Sequence, residues 1–226
     1  FGSALKLQGV EALLSALDDF TLAPDYPDAF GARVFKISRD AQGARLTWLK
    51  VTGGTLRVKA PLSYEAQGRA YSEKADQLRL YSGVKFRTLE KADAGSVVAV
   101  TGLSHSHVGL GLGVEAEASA PLLQPVLTYR LILPDGADAH SALTKLRELE
   151  EEDPMLRIVW DEHSGQIHVQ LMGKIQLEIL RRLISDRFGL AVSFGEGSIV
   201  YRETIAAPVL GMGHFEPLRH YAEVQL

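Results

Sequence analysis

The spacing at which apolar residues recur along this chain changes twice between Glu151 and Ile205, and no other feature limits its fold as strongly. Apolar and polar residues alternate from 156 to 161 and again from 167 to 171, on either side of a short turn that contains Gly165. A period of two is typical of a half-buried strand, and two such runs joined by a short glycine-containing turn favour a β-hairpin. This stretch therefore predicts two antiparallel strands.

The spacing of apolar residues becomes helical at Lys174 and stays so until Gly189, and glycine often ends helices. A further strand is predicted from about Ser198 to Glu203. The apolar side of the helix is predicted to contain Leu177, Leu180, Ile184 and Phe188, with Ile179 and Leu183 beside them.

The residues before the hairpin complete the same unit. Alternation from Val126 to Leu133 predicts a strand, and Ala139–Glu152 has helical spacing up to Asp153-Pro154. The residue before a proline avoids the helical region, so the helix is expected to end there. The order strand, helix, strand, strand, helix, strand is the ferredoxin-like split βαβ arrangement. The predicted fold class is therefore α+β with more than one domain.

Residues 21–113 show a different pattern, with short alternating runs separated by turns. Many short strands of this kind predict a β-barrel. The predicted strands are Gly31–Ser38, Ala44–Val51, Thr55–Lys59, Leu78–Ser82, Val84–Thr88 and Val97–Gly102.

Two other segments carry predictions of their own. The glycines at 109, 111 and 113 lack the lysine and hydroxyl residue of a phosphate-binding loop, so this run is interpreted as linker. The wider stretch 103–124 is rich in small residues and is expected to let two domains rotate.

Near the N-terminus one helical face contains Val10, Leu13, Leu14, Leu17 and Phe20, and its natural partner is a sheet that this chain does not contain.

Composition excludes several classes of function. The 226 residues include no cysteine, which excludes disulfides and thiolate zinc sites. No apolar run reaches the ~18 residues that a membrane helix needs, and the N-terminus lacks the plan of a signal peptide. A formal net charge of −4 argues against binding nucleic acid with the whole surface, so any such contact must be local. We expect a cytoplasmic protein with no membrane partner.

The sequence offers few candidates for independent chemistry. His105 and His107 could hold a metal ion, but no third ligand lies nearby in sequence, and the alternative is an ordinary surface segment. Asp161, Glu162 and His163 could act as acids or bases, although polar residues are expected in any hairpin turn. We favour the structural explanation in both cases and predict neither a catalytic residue nor a metal site.

Four ordered motifs carry a family resemblance. They are EEDPMLR at 151–157, Ser-Gly at 164–165, GKIQLEI at 173–179 and YRETI at 201–205. Together they resemble the third domain of translational GTPases of the elongation factor G and tetracycline-resistance ribosomal-protection family. Lys174 and Gln176 are more similar to the ribosomal-protection branch, whereas YRETI is more similar to elongation factor G. Both branches remain open.

Other stretches are similar to further domains of the same family. Residues 32–36, 49–59 and 94–103 resemble the second, barrel domain, and residues 213–224 resemble the first strand of the fourth. The resemblance implies a fragment with five parts: a C-terminal helix remnant of the GTPase domain at 1–20, barrel domain II at 21–113, a linker at 114–125, ferredoxin-like domain III at 126–204 and the start of a truncated domain IV at 205–226.

The resemblance also implies partners and cofactors. The whole protein is expected to bind the ribosome through rRNA and a small-subunit protein, to contact its own GTPase domain and domain IV, and to use GTP and Mg. Ser3 and Ala4 resemble the last guanine-nucleotide motif, with a plain turn of small residues as the alternative. No cofactor is expected in this stretch alone.

Charged residues of the two helices are candidates for contacts. Arg181, Arg182 and Arg187 suit either a solvated face or a ribosome contact through RNA phosphates. Acidic residues crowd the C-terminal end of the first helix from 148 to 153, where they oppose the helix dipole. We expect this cluster to meet a basic surface of the GTPase domain or of the ribosome.

The implied function is that of a non-catalytic part of a ribosome-binding translational GTPase, which couples the GTP state to ribosome interaction. The alternative is a stand-alone module that binds a ligand or a protein with its ferredoxin-like domain, because this fold hosts many functions.

We predict that this chain alone does not hydrolyse GTP. It has no Gly-Lys-Ser/Thr phosphate loop, and the Asn-Lys-x-Asp guanine signature is impossible because the sequence contains no asparagine. Phosphate release from GTP should equal the buffer background. Release above background from protein free of contaminating GTPase contradicts this.

Overall fold

A computed structural model of the chain describes residues 2–22, 24–119, 123–201, 207, 209–215 and 222–225. Contacts between residues divide the chain into two units. The first unit contains Phe1–Gln124 and His140–Arg157, and the second contains Pro125–Ala139 and Ile158–Leu226.

The first unit is mostly β. Its helices are α1 (Val10–Phe20) and α2 (Ala139–Glu152). Its strands are β1 (Gly31–Arg39), β2 (Arg45–Gly53), β3 (Thr55–Arg57), β4 (Pro61–Ala66), β5 (Arg69–Lys74), β6 (Gln77–Ser82), β7 (Lys85–Leu89), β8 (Lys91–Asp93), β9 (Val97–Thr101) and β10 (Gly111–Gly113). Six of them form an antiparallel sheet in the order β10-β1-β2-β9-β6-β7, while β3 pairs with β8 and β4 with β5.

One apolar core lies between these sheets. Alternate residues of the strands point inward, so Leu49 and Val51 of β2 and Val98 and Val100 of β9 are fully buried. Leu62 of β4 also joins this core, as do residues of the β3–β8 pair. Burial of each such side chain contributes about 1.5–3 kcal/mol. Strands of three sheets around one core give the barrel-type unit that the sequence predicted.

The glycine-rich run 109–113 is not a linker, and that prediction is wrong. Strand β10 pairs with β1, with Leu112 opposite Ala32, and Leu110 and Leu112 are buried in the core. The leucines between the glycines provide the apolar alternation of a strand. Gly111 is needed for close approach, because a Cβ there would lie 2.3 Å from the carbonyl oxygen of Glu115.

The sequence analysis missed the β4–β5 hairpin and β8. Only alternate residues of β4 face the core, namely Leu62, Tyr64 and Ala66, and the partner strand β5 contains no fully buried residue. Gln67 and Gly68 at the turn both have positive φ, at 52° and 71°. Such a turn is easily overlooked because glutamine rarely adopts this conformation.

The second unit contains an antiparallel four-stranded sheet. Its elements are β11 (Leu127–Ile132), β12 (Arg157–Asp161), β13 (Gln166–Leu171), α3 (Lys174–Phe188), β14 (Ser193–Ile199), β15 (Met212–Phe215) and β16 (Ala222–Gln225). The sheet order is β12-β13-β11-β14, and α2 lies between β11 and β12 in sequence. This order is that of the ferredoxin-like fold. The predicted α+β class and split βαβ arrangement are confirmed.

The last strand of this sheet begins earlier than predicted. Strand β14 runs from Ser193 to Ile199, whereas the sequence predicted about Ser198 to Glu203. Glycines hide its alternation, and one of them is required: a Cβ on Gly197 would lie 2.3 Å from the ring of Tyr129. Most of the YRETI motif lies outside the described residues.

Near the C-terminus, β15 pairs with β16 as a separate two-stranded sheet. The predicted family-like strand at 213–224 falls partly in this pair, and its residues 216–221 lie outside the described residues.

Helix α1 forms as predicted and buries none of its residues. Leu13, Leu14 and Phe20 are exposed, so its apolar face has no cover within the described part of the chain. None of the described helices is long and apolar enough to cross a membrane.

Helix α3 has the predicted bounds, and burial fixes its inward side. Leu180 and Ile184 are 6% and 0% exposed, whereas Ile179 and Leu183 are 62% and 42% exposed. The inner stripe is therefore narrower than the sequence pattern suggested.

We predict that Leu180→Asp lowers the free energy of unfolding by about 3–5 kcal/mol, because it removes apolar burial and places a charge in the core. Ile179→Asp, one position away and exposed, is the matched control and should cost at most about 0.5–1 kcal/mol. Urea denaturation measures both. Equal losses would show that the helix faces the core with another side.

Candidate functional site

The arginines of α3 do not form one patch. Arg181 and Arg182 are exposed, and Arg182 Nε lies 3.5 Å from Asp186 Oδ2. Arg187 lies over the ring of Phe188, 5.4 Å from its centroid. Arg187 is half-buried, whereas Arg181 and Arg182 are exposed. Arg181 and Arg182 are therefore the arginines of this helix that are more available to a partner.

Ser3 and Ala4 lie in a turn before α1. The Ser3 N–H donates to the Gln8 carbonyl at 3.0 Å, and the Leu7 N–H donates to the Ala4 carbonyl at 3.2 Å. The Ser3 N–H and the Ala4 carbonyl are therefore both used inside the turn. A nucleotide contact at Ser3 and Ala4 stays a prediction.

The acidic end of α2 finds partners in its own unit. Arg39 Nε lies 3.0 Å from Glu148 Oε2, and Arg45 Nε lies 3.0 Å from Glu151 Oε2. Arg39 Nη2 also approaches Glu151, at 3.6 Å. The sequence predicted that this acidic cluster meets a basic surface of the GTPase domain or of the ribosome. For Glu148 and Glu151 this is corrected, because their basic partners are Arg39 of β1 and Arg45 of β2. No local pattern indicated this pairing, because Arg45 and Glu151 are 106 positions apart.

Arg45 also fixes the loop after β9. Its Nη1 donates to Thr47 Oγ1 at 3.2 Å, to Ser106 Oγ at 2.9 Å and to the Leu103 carbonyl. Its Nη2 donates to the Ser106 carbonyl at 2.5 Å. Thr47 and Ser106 are the buried polar side chains, and their hydroxyls bond each other at 2.8 Å. The network satisfies these buried polar groups, as a stable core requires.

The two histidines of this loop bond different carboxylates. His105 Nδ1 lies 3.0 Å from Glu73 Oε1, and His107 Nε2 lies 2.8 Å from Glu117 Oε1. Among the described residues no group of three side chains is placed to hold a metal ion. Each imidazole therefore has a local structural role.

Glu73 is held as an anion by its neighbours. Burial pushes its pKa up, but hydrogen bonds from the Tyr64 hydroxyl, the His105 ring and the Ser104 N–H outweigh burial, so the pKa lies below its usual value. Burial and the Glu73 carboxylate together raise the pKa of Tyr64, which keeps the phenol protonated.

The hairpin turn at 161–164 has the structural role favoured from sequence. Asp161 accepts hydrogen bonds from Ser164 Oγ at 2.6 Å and from the His163 N–H at 3.0 Å. The Ser164 hydroxyl contributes most to a lowered pKa of Asp161, followed by the His163 N–H.

The large sheet of the first unit has an unusual charge. Strands β1, β2, β6, β7 and β9 contain no aspartate or glutamate, although the whole chain has a net charge of −4. Their eight cationic residues are Arg33, Lys36, Arg39, Arg45, Lys50, Arg79, Lys85 and Arg87.

An aromatic row crosses the outer side of this sheet. Trp48 lies 4.9 Å from Tyr81, and Tyr81 lies 5.1 Å from Phe86, between ring centroids. Lys36 Nζ lies 5.8 Å from the Trp48 ring. Lys50, two positions after Trp48, lies on the same side of β2. We call Lys36, Trp48, Lys50, Tyr81 and Phe86 the basic-aromatic face.

A half-buried ion pair supports one end of this face. Arg79 Nη1 donates to Asp40 Oδ2 at 2.8 Å, and the Arg79 guanidinium lies 4.5 Å from the Phe86 ring centroid. Donation from Arg79 lowers the pKa of Asp40, with burial opposing it and backbone N–H groups of Ala44 and Gln42 adding to it. Sequence reasoning missed this face, although the absence of acidic residues from the strands could have indicated it.

A barrel-type unit followed by a ferredoxin-like sheet is the domain pair that the sequence motifs indicated for translational factors. Residues 123–196 match the family described as Elongation Factor G, domain III. Residues 123–196 are thus an elongation factor G domain III, and the chain as a whole resembles a fragment of an elongation factor G-like protein.

Relatives match along most of this chain. It is 31% identical to elongation factor G 2 of Syntrophus aciditrophicus, over 100% of this chain and 37% of the relative. It is 30% identical to elongation factor G 1 of Geobacter sulfurreducens, over 92% of this chain and 33% of the relative. A crystal structure of a Thermus thermophilus protein, 25% identical, matches with a TM-score of 0.67 over 96% of this chain and 34% of that one. The chain thus spans about a third of the length of these relatives.

We predict that Glu151→Gln lowers the free energy of unfolding by about 1 kcal/mol, because Arg39 and Arg45 lose a shared carboxylate. Glu162→Gln, in the exposed hairpin turn, is the control and should leave stability unchanged. Urea denaturation at low and high salt measures the difference, which should shrink as salt screens the charges. Equal effects of the two substitutions would refute the assigned pairing.

Proposed function

We propose that this chain is a ribosome-docking part of an elongation factor G-like protein. The observation that carries the proposal is the charge of the large sheet, whose strands β1, β2, β6, β7 and β9 hold eight cations and no acidic residue. Four of these cations pair with carboxylates of other elements, and the four that remain for phosphates are Lys36, Lys50, Lys85 and Arg87. Clustered lysine and arginine neutralise phosphates and release counterions, which is the main source of affinity for nucleic acid. The basic-aromatic face therefore suits rRNA.

The aromatic row adds a second mode of contact. Unpaired bases in RNA loops stack on aromatic side chains. Phe86 is 46% exposed at the edge strand β7, where a base can reach it. Arg181 and Arg182 of α3 provide a second, smaller contact that we also assign to the ribosome.

The same proposal assigns the chain no bond-making step. GTP and Mg would be held by another part of the whole protein, and this stretch would couple the GTP state to ribosome interaction. The residues of this stretch would bind the ribosome and position the other domains on it. A cytoplasmic location follows from that role.

Tetracycline protection is the finer hypothesis, and it rests on the block around Lys174 and Gln176. Gln176 Oε1 accepts hydrogen bonds from the Met172 N–H at 2.8 Å and the Gly173 N–H at 3.3 Å, so it caps the start of α3. Capping of α3 explains why a glutamine stands at position 176, so Gln176 by itself does not favour the ribosomal-protection branch. Growth of a sensitive host on tetracycline, with and without the complete gene, tests the hypothesis.

We predict that Lys36→Glu with Lys50→Glu weakens binding of the chain to ribosomes by about tenfold or more, because two phosphate contacts become repulsive. Lys6→Glu with Lys91→Glu gives the same net charge outside the face and is the matched control. Arg181→Glu with Arg182→Glu tests the second contact. Co-sedimentation at several salt concentrations measures all of them.

Circular dichroism melting confirms that each variant is folded. Absence of binding by the unchanged chain contradicts the proposed docking role. Equal weakening by the face variant and the control contradicts the assignment of the surface.

A further inference from the structure

A cavity of about 650 Å³ lies in the first unit and shares no lining residue with the basic-aromatic face. Its walls are the turn between β4 and β5, the loop 104–107 and the side chains of Tyr71, Glu117 and Glu151. The volume is in the range of sites that hold small ligands. Neither the family match nor the proposed docking role uses this cavity.

One wall is a fixed aromatic surface. The rings of Tyr71 and His105 stack with centroids 4.0 Å apart and an angle of 14° between their planes. Glu73 holds His105 through its ring nitrogen and holds the loop through the Ser104 N–H, both at 3.0 Å. The stack is therefore in place before any ligand arrives, which lowers the entropic cost of binding.

The cationic groups of the cavity are already used. Each of the three nitrogens of Arg45 donates to an acceptor of the protein, including Glu151. His107 Nε2 is bonded to Glu117 Oε1. An anionic ligand would therefore have to break existing bonds to find a donor.

Acceptors, in contrast, remain available. Glu65 at the end of β4 is exposed and has no ion-pair partner in the described part of the chain. Glu117 bonds His107 through one oxygen, and its side chain is 62% exposed. The cavity therefore combines a flat aromatic wall with carboxylate oxygens that lack donors.

We propose that this cavity binds a guanidinium group carried on a short aliphatic chain. A guanidinium is flat, stacks on aromatic rings and donates several N–H groups to carboxylates. It would lie against the Tyr71–His105 stack and donate to Glu65 and Glu117. The group comes either from a free small molecule or from an arginine side chain of a protein.

The test is a titration of the 226-residue chain, followed by NMR of its aromatic signals. The probe is N-acetyl-arginine amide, and N-acetyl-citrulline amide is its uncharged counterpart of nearly the same shape. We expect saturable shifts of the Tyr71 and His105 signals with the arginine probe and about tenfold weaker binding of the citrulline probe.

Variants locate the site. Glu65→Gln with Glu117→Gln should weaken binding of the arginine probe about tenfold, and Glu162→Gln with Glu196→Gln, which line no part of the cavity, should leave it unchanged. Thermal unfolding confirms that both double variants are folded. Agmatine and a capped Gly-Arg-Gly peptide distinguish the sources, since tighter binding of the peptide assigns a protein arginine and tighter binding of agmatine assigns a free molecule.

Three results would overturn the proposal. They are the absence of saturable shifts with any guanidinium probe, equal binding of the arginine and citrulline probes, and unchanged binding to the Glu65→Gln, Glu117→Gln variant. None of them bears on ribosome docking, which is measured by co-sedimentation.

Discussion

The charge of Arg45, largely removed from water on β2, fixes the loop after β9 and the end of α2. A charge in such a position has to be compensated by acceptors, or it destabilises the fold. The acceptors come from the loop after β9, from Thr47 and from Glu151 at the end of α2. One side chain thus joins a sheet, a loop and a helix that are distant in sequence. The wall of the cavity and the position of the acidic helix end both depend on it.

The first unit separates its charges between two surfaces. Cations collect on the strands of the large sheet, while the carboxylates of Glu65, Glu117 and Glu151 line the cavity. A net charge of −4 for the whole chain conceals this separation. Electrostatic recognition is local at physiological salt, because charges are screened beyond about 8–10 Å. The two surfaces can therefore select partners of opposite charge without interfering.

Similarity to elongation factor G proteins agrees with the docking role proposed for this chain. The buried hydroxyls of Thr47 and Ser106 bond each other, and the pKa shifts of Asp40, Glu73 and Asp161 arise from hydrogen bonds that hold turns and loops. Perturbed acids often mark catalytic sites. Here each one has a structural explanation in named neighbours.

The sequence by itself determined the elements whose pattern is local. It predicted the bounds of α2 and α3 and the order of strands and helices along the ferredoxin-like unit, because the spacing of apolar residues shows which side of each element is buried. It also predicted most strands of the barrel-type unit. It missed β4, β5 and β8. It also failed at β10 and placed β14 too late, where glycines needed for close approach to Glu115 and Tyr129 interrupt the alternation.

Tertiary structure alone decided the sites. The pairing of Arg45 with Glu151, the stack of Tyr71 on His105 and the row from Trp48 to Phe86 join residues from different elements. No local period records which strands become neighbours, because strand order is fixed by long-range packing around the core. Sequence could offer the α3 arginines as candidates, but only the structure shows that Arg187 is half-buried while Arg181 and Arg182 are exposed.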